Sequence, residues 1–298
     1  MRIVIAGSSG FLGGYLRAAL AERGDEVTRL VRRPPKAPDE VAWNPKAGTL
    51  DPAALSTVDA VVNLAGTAVD EHRWTEGYKR VLIASRVDST TTLAKTMAAL
   101  PESERPRVLL SSSGVNYYGD TGDRRVDERD PAGDGFLADL CRVWEAATHP
   151  AEDAGVRVVR LRTGLPLGKG GGFLKPFLLP FRLGVGGRLG SGRQYQPWLS
   201  IVDWQAILLF LLDREDIAGP VNVVGPEPVT NAEFTRALAE VLHRPALLPV
   251  PRFALRVVIG EMIVDALASL RIMPGVLTDA GFKYRHNDVR SALRSAVA

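Results

Sequence analysis

Arg2-Ile3-Val4-Ile5-Ala6-Gly7-Ser8-Ser9-Gly10-Phe11-Leu12-Gly13 is the stretch that decides the fold. It begins as a short apolar run, passes through a glycine-rich turn, and opens a helix over residues 12–23. An apolar run without alternation reads as a strand buried on both faces, as in a parallel sheet covered by helices. The glycines have separate tasks in such a turn. One permits the tight bend, one lets backbone approach a diphosphate, and one lets the helix pack closely on the strand. The diphosphate then meets free N–H groups at the positive end of the helix. Gly7, Ser9, Gly10, Phe11, Leu12 and Gly13 are therefore expected to bind a nucleotide. The same spacing recurs at Gly184, Gly187 and Gly190, but no strand precedes it there.

The pattern continues outward from this turn. Apolar runs at residues 27–31, 60–64, 108–111 and 156–161 read as further strands, with a weaker one at Val41-Ala42-Trp43. Between them, residues 78–100 and 136–153 read as helices. A βαβ series of this kind gives an α/β fold, a Rossmann-type doubly wound parallel sheet. Residues 1–165 are expected to form it, with 201–225 returning to it through a helix and a late strand. Glycines and prolines crowd residues 164–192, which read as loops on the substrate side, within a segment 166–200. Residues 226–298 read as a small helical lobe, with a capping box at Thr230 and Glu233 opening its first helix. In residues 252–270, Arg252 and Arg256 lie within about 40° of each other while Glu261 and Asp265 fall roughly opposite. That helix is expected to be covered on two sides within its lobe.

Composition closes off other classes. Among 298 residues, 37 Lys and Arg against 34 Asp and Glu leave a net charge of +3, too small to suggest nucleic acid or a membrane as partner. One cysteine, Cys141, excludes an internal disulfide, and four scattered histidines suggest no metal site. The chain opens on strand residues rather than on a leader pattern, and holds no long uncharged apolar run. A cytoplasmic protein acting on a small molecule is expected, with its oligomeric state left open.

The second strand selects the nucleotide. An NAD site wants an acidic residue after it to accept the ribose 2′-hydroxyl. Here Arg32-Arg33 follows instead. Guanidinium groups suit a 2′-phosphate by charge and geometry, so NADP(H) is the expected cofactor, held by Arg32 and Arg33.

These features, with Asn63-Leu64-Ala65-Gly66, Ser111-Ser112-Ser113 before Tyr117-Tyr118-Gly119, Trp144-Glu145-Ala146-Ala147 and Arg162-Thr163-Gly164, resemble the extended short-chain dehydrogenases/reductases. More narrowly, the chain resembles their atypical "epimerase family" branch with a C-terminal domain of unknown function, on strings such as Pro180-Phe181-Arg182-Leu183-Gly184, Pro197-Trp198, Asn231-Ala232-Glu233-Phe234 and Ala280-Gly281-Phe282. The resemblance implies bound NADP(H). It also implies that Leu64, Ala65 and Gly66 neighbour the adenosine and ribose, and that Arg86 contacts the cofactor.

Typical members of that superfamily carry a tyrosine four residues before a lysine, as general acid/base. No tyrosine here has a lysine at that distance. In the helix register set by Glu145, Leu137 and Cys141 stand at those two positions. Ser112 and Ser113 fall at the carboxyl edge of a parallel strand, where ligands bind in such sheets. Ser112 is expected beside the cofactor, and Ser113, Tyr117 and Tyr118 are the candidates for chemistry. Asp203 reads as a helix cap and Cys141 as buried and inert. Three functions fit: an NADP(H)-dependent oxidoreductase with a non-standard proton donor, an epimerase or dehydratase-like enzyme, or a non-catalytic NADP(H) sensor. No metal is expected.

Overall fold

The computed structural model describes all residues, Met1–Ala298. The chain runs through β1 (Arg2–Ala6), α1 (Phe11–Arg23), β2 (Glu26–Val31), β3 (Glu40–Ala42), β4 (Ala60–Asn63), α2 (Glu76–Ala99), β5 (Val108–Gly114), α3 (Phe136–Ala146), α4 (His149–Asp153) and β6 (Arg157–Thr163). Then come β7 (Leu165–Gly168), β8 (Gly171–Gly172), α5 (Lys175–Arg182), β9 (Tyr195–Gln196), β10 (Trp198–Ser200), α6 (Ile201–Asp213), β11 (Gly219–Val223) and β12 (Val229–Thr230). The last elements are α7 (Asn231–Leu242), α8 (Arg252–Ile259), α9 (Ile263–Ala266), α10 (Gly275–Asp279) and α11 (Val289–Val297).

Seven strands form the main sheet in the order β11-β6-β5-β4-β1-β2-β3. The order reverses at β1, which pairs in parallel with both β2 and β4. That reversal is the switch point at which ligands meet such sheets. The continuous apolar runs behave as burial on both faces requires: Ile3, Val4, Ile5, Val61, Val62, Leu109 and Leu110 are all inaccessible or nearly so. Local signals end and begin the helices. Gly24 closes α1 in the left-handed conformation, its N–H returning to the Ala21 and Leu20 carbonyls. Thr230 and Glu233 form the expected reciprocal cap on α7. The helix expected over residues 136–153 is instead two helices, because Pro150, which has no N–H to donate, starts a new one at α4.

The chain divides into two compact units. One comprises Met1–Ser113, Leu140–Leu161 and Leu208–Pro220; the other comprises Gly114–Asp139, Arg162–Ile207 and Val221–Ala298. Residues 114–139 fall in the second unit, and the late return to the first spans 208–220. In the first unit a core of residues such as Val4, Leu30, Trp43, Leu93 and Leu109 gathers under the sheet. In the second, Trp198, Phe234 and Leu238 pack with Val289 and Leu293 of α11. The glycine-rich residues expected as loops are partly ordered. β7 pairs in parallel with β10 and antiparallel with β8, and α5 follows. Gly164 permits this, because a Cβ there would meet the Val224 side chain at 2.9 Å and press on the Pro197 carbonyl.

Two further expectations change. Asp203 sits in the first turn of α6, but Ser200 is the capping residue, accepting the Asp203 N–H at 3.0 Å. The Asp203 carboxylate instead takes the backbone N–H groups of Arg285 and His286 at 2.7 and 3.2 Å, clamping the approach to α11. In α8 no residue is fully buried, so it is not covered on two sides.

Candidate functional site

The turn after β1 has the build of a phosphate cradle. Gly7 has φ of +82°, and a Cβ on it would lie 2.6 Å from the Leu64 carbonyl carbon. A Cβ on Gly13 would press on the Gly7 carbonyl oxygen and lie 2.8 Å from Ser8 backbone. These two glycines hold the turn shut against β4 and α1. Gly10 differs: its conformation is extended, and a Cβ would meet only the Gly7 oxygen at 3.5 Å, an ordinary contact. Space at Gly10 is thus not taken by the protein. No side chain caps α1, and its first turn holds no acidic residue. Phe11 and Leu12 open that turn, Ser9 is exposed, and the Phe11 ring stands edge-on to Tyr15 at 5.3 Å. Uncapped N–H groups, the helix dipole and a backbone without Cβ at Gly10 suit an anionic diphosphate.

Beyond β2, Arg32 lies exposed and lines a surface concavity of about 710 Å³ with Arg33, Pro34, Trp43, Asn44 and Thr49. Arg33 is engaged within the protein. Its Nη1 and Nη2 both donate to Glu40, each at 2.8 Å. The Glu40 side chain is only 2% accessible, and a carboxylate so enclosed needs paired donors. The Arg33 guanidinium beside it, with the Lys36 backbone N–H, holds the Glu40 carboxyl at about 2. Glu40 is thereby engaged within the protein, while the Arg32 side chain is exposed.

At the carboxyl edge of β4 and β5 the first unit gathers a polar network. The Ala65 N–H donates to Asn63 Oδ1 at 3.1 Å, Asn63 Nδ2 donates to Thr90 Oγ1 at 2.9 Å, and Trp144 Nε1 donates to the same hydroxyl at 3.0 Å. Ala65 is fixed by this network, and the Leu64 N–H donates to the Ala6 carbonyl at 2.9 Å. A Cβ on Gly66 would lie 3.4 Å from the Arg86 side chain, so Gly66 packs directly against that arginine. Arg86 is the unusual member. It is 8% accessible, lies 5.0 Å from the Trp144 ring, and donates Nη1 to the Leu82 carbonyl at 3.1 Å. Its Nε is buried with no partner, and no carboxylate pairs with it. Burial pushes its pKa down from the usual guanidinium range. Ser111 Oγ, opposite Asn63 across the strands, is a second buried orphan. The Arg86 Nε and the Ser111 hydroxyl are thus buried polar atoms whose hydrogen bonds the protein leaves unmade.

Ser112 is half-buried on β5, and Ser113 is 5% accessible with Oγ donating to Glu145 Oε1 at 2.7 Å. Nothing in the sequence singles out Glu145 for this, since a glutamate on an amphipathic helix ordinarily faces water; only its placement on α3 opposite a strand-end serine shows it. Leu137 and Cys141 on α3 are buried, at 8% and 3%, and neither can move a proton as tyrosine and lysine would.

In the second unit the two tyrosines part ways. Tyr118 is 3% accessible; its hydroxyl donates to Asn222 Oδ1 and accepts from Arg162 Nη1, both at 2.8 Å. Burial pushes its pKa up. With its hydrogen bonds used internally, it braces the fold. The same brace holds Glu128, which accepts the N–H groups of Asn222 and Val276 and whose pKa burial raises. Tyr117 is half-buried with the Arg162 guanidinium 3.4 Å from its ring centre, and its hydroxyl has no protein partner. No cluster of His, Cys, Asp and Glu could hold a metal ion, and no helix is long and apolar enough to cross a membrane.

A family model described as the NAD dependent epimerase/dehydratase family matches residues 3–225. The chain belongs to that family. A second model, a domain of unknown function (DUF1731), matches residues 250–296. Among curated members of this family, the epimerase family protein Mb2239 of Mycobacterium bovis is 45% identical over 98% of this chain and 96% of its own. The crystal structure of human epimerase family protein SDR39U1, isoform 2, with NADPH matches at a TM-score of 0.91 and 34% identity over 99% of both chains. A nucleoside-diphosphate sugar epimerase from Corynebacterium glutamicum matches at a TM-score of 0.83 and 33% identity, over all of this chain and 58% of that one.

Proposed function

We propose that this family member binds NADP(H) and acts as an oxidoreductase on a small carbonyl compound or the corresponding alcohol, without a Tyr-x-x-x-Lys pair. The observation that carries the reading is the cradle after β1, where Gly7 and Gly13 close the turn while Gly10 and the uncapped start of α1 stay open. Arg32 would hold the 2′-phosphate, and Leu64, Ala65, Gly66, Ser112 and Arg86 would line the rest of the cofactor. The NADPH bound by the human relative supports the choice of nucleotide.

The cofactor, when bound, would take the hydride from an alcohol as NADP+ or give it to a carbonyl as NADPH. The chain must then handle one proton. Ser113 Oγ, held in direction by Glu145, can accept the proton of a substrate alcohol while passing its own to the Glu145 carboxylate. In reduction the same proton travels back. This pair needs no phenol, which is why the loss of the usual tyrosine and lysine does not by itself abolish the chemistry. The buried Leu137 and Cys141 favour a second reading, a sensor that kept the binding turn and lost turnover.

Calorimetric titration is expected to show NADPH binding at least ~10-fold more tightly than NADH, and Arg32→Asp erasing the difference; equal affinities in the native chain would remove the 2′-phosphate argument. On a panel of carbonyl compounds, Ser113→Ala and Glu145→Gln are each expected to lower NADPH consumption by about 100-fold or more while binding stays within about threefold. Consumption that is equally slow in native and variant protein would leave the sensor reading standing. Tyr117→Phe tests the remaining hydroxyl on the same panel, and a loss larger than that of Ser113→Ala would transfer the proton step to it.

A further inference from the structure

α8 and the segments leading to it present a surface that sequence patterning does not foretell. Phe253, Val257 and Val258 on α8 are 74%, 70% and 70% accessible. Leu247 and Leu248, just before it, are 85% and 64% accessible. Residues 182–190 run alongside 244–250: Arg244 Nε donates to the Arg182 carbonyl at 3.0 Å, the Val250 N–H to the Arg188 carbonyl at 2.8 Å, and the Gly190 N–H to the Val250 carbonyl at 2.9 Å. This brings exposed Leu183 and Val185 to the same part of the second unit. Scattered exposed leucines are ordinary, but a gathered set of this size marks a docking surface.

Its charges say what docks there. Within residues 179–188 and 240–265 the cations are Arg182, Arg188, Arg244, Arg252 and Arg256, all exposed, against the acids Glu240, Glu261 and Asp265, of which Glu240 is paired with Arg290. None of the five arginines stands in an ion pair with a carboxylate. Two copies of this chain meeting through such a face would bring like charges together at the moment of desolvation. An anionic lipid surface meets both requirements at once: it takes apolar side chains into the acyl boundary and guanidinium groups among the headgroups. On α8 the arrangement is compact, with Arg252 and Arg256 one turn apart beside Phe253 and Val257, also one turn apart. We infer that this face of the second unit docks on the surface of an anionic bilayer, with α8 lying in the plane of the interface. A net charge of +3 hides this because the cations are concentrated locally while acids elsewhere balance them.

Co-sedimentation of the full chain with vesicles tests the inference, independently of any cofactor. Vesicles of phosphatidylcholine mixed equally with phosphatidylglycerol are expected to take the protein down at least ~10-fold more strongly than phosphatidylcholine alone, and added salt should weaken the binding. Arg252→Glu with Arg256→Glu is expected to cost about 10-fold or more, and Phe253→Ser with Val257→Ser a similar factor. Because these residues are exposed, circular dichroism melting of each variant should match the native chain. Absence of sedimentation with anionic vesicles overturns the inference. So does a stable dimer by light scattering that Phe253→Ser dissociates, which would assign the face to a second copy, or binding that is equal on both vesicle types and indifferent to the arginines.

Discussion

Gly10→Ala is expected to bind NADPH about 100-fold more weakly than the native chain while melting within a few degrees of it. The two parts of this result come from different contacts. Gly10 is extended, and an added methyl would find the Gly7 oxygen at 3.5 Å, so the fold accommodates alanine. Alanine is a poorer N-cap than glycine by at most about 1 kcal/mol, and for a chain of this size that is roughly 2–4 °C in Tm. The methyl must then occupy the space through which backbone approaches the diphosphate. Gly13→Ala should behave in the opposite way, losing the fold first, because its Cβ is set against Gly7 and Ser8 backbone that has nowhere to move. Gly14→Ala supplies the control. Nothing lies within 4 Å of its Cβ, and it should gain about 0.5–1 kcal/mol from helix propensity without changing affinity. A turn kept only for tight packing would leave Gly10→Ala binding NADPH as the native chain does, and that outcome would defeat the phosphate-cradle reading.

Those three glycines also show what a sequence can disclose. Strand burial and helix period are local properties, so Ile3, Val4 and Ile5 announce a covered parallel strand, and the turn that follows announces its own geometry. Caps are local too, and Thr230 with Glu233 is legible at three residues' spacing. Long-range pairing is not. The Glu40 carboxylate that occupies Arg33 lies on the neighbouring strand, and from sequence the two arginines are indistinguishable. Ser113 and Glu145 are 32 positions apart, and Tyr118 and Asn222 are 104 apart. In both cases a side chain's chemistry is decided by a partner that only the fold supplies.

Arg86→Met is expected to leave the cofactor-free protein as stable as the native chain or more so, by up to about 1–2 kcal/mol, while lowering NADPH affinity at least ~30-fold. A cation in this position is costly to bury. Its pKa is pushed down by desolvation, Nε has no partner, and the compensation present is one carbonyl at 3.1 Å and an aromatic ring at 5.0 Å. Replacing a poorly compensated buried charge by an apolar side chain of similar length is often neutral or stabilising. Methionine also has the flexibility to fill the space against Trp144. Such an arginine persists only if something else repays its burial, and on the proposed reading that is a polar group of the dinucleotide, through charge-assisted hydrogen bonds worth about 1.5–3 kcal/mol each. Urea denaturation with and without NADPH separates the two terms: the native chain should gain stability on adding the nucleotide, and Arg86→Met should gain far less. If Arg86→Met instead destabilises the cofactor-free protein by several kcal/mol, the guanidinium is a structural brace for Leu82 and Trp144, and the cofactor contact must be sought elsewhere on α2.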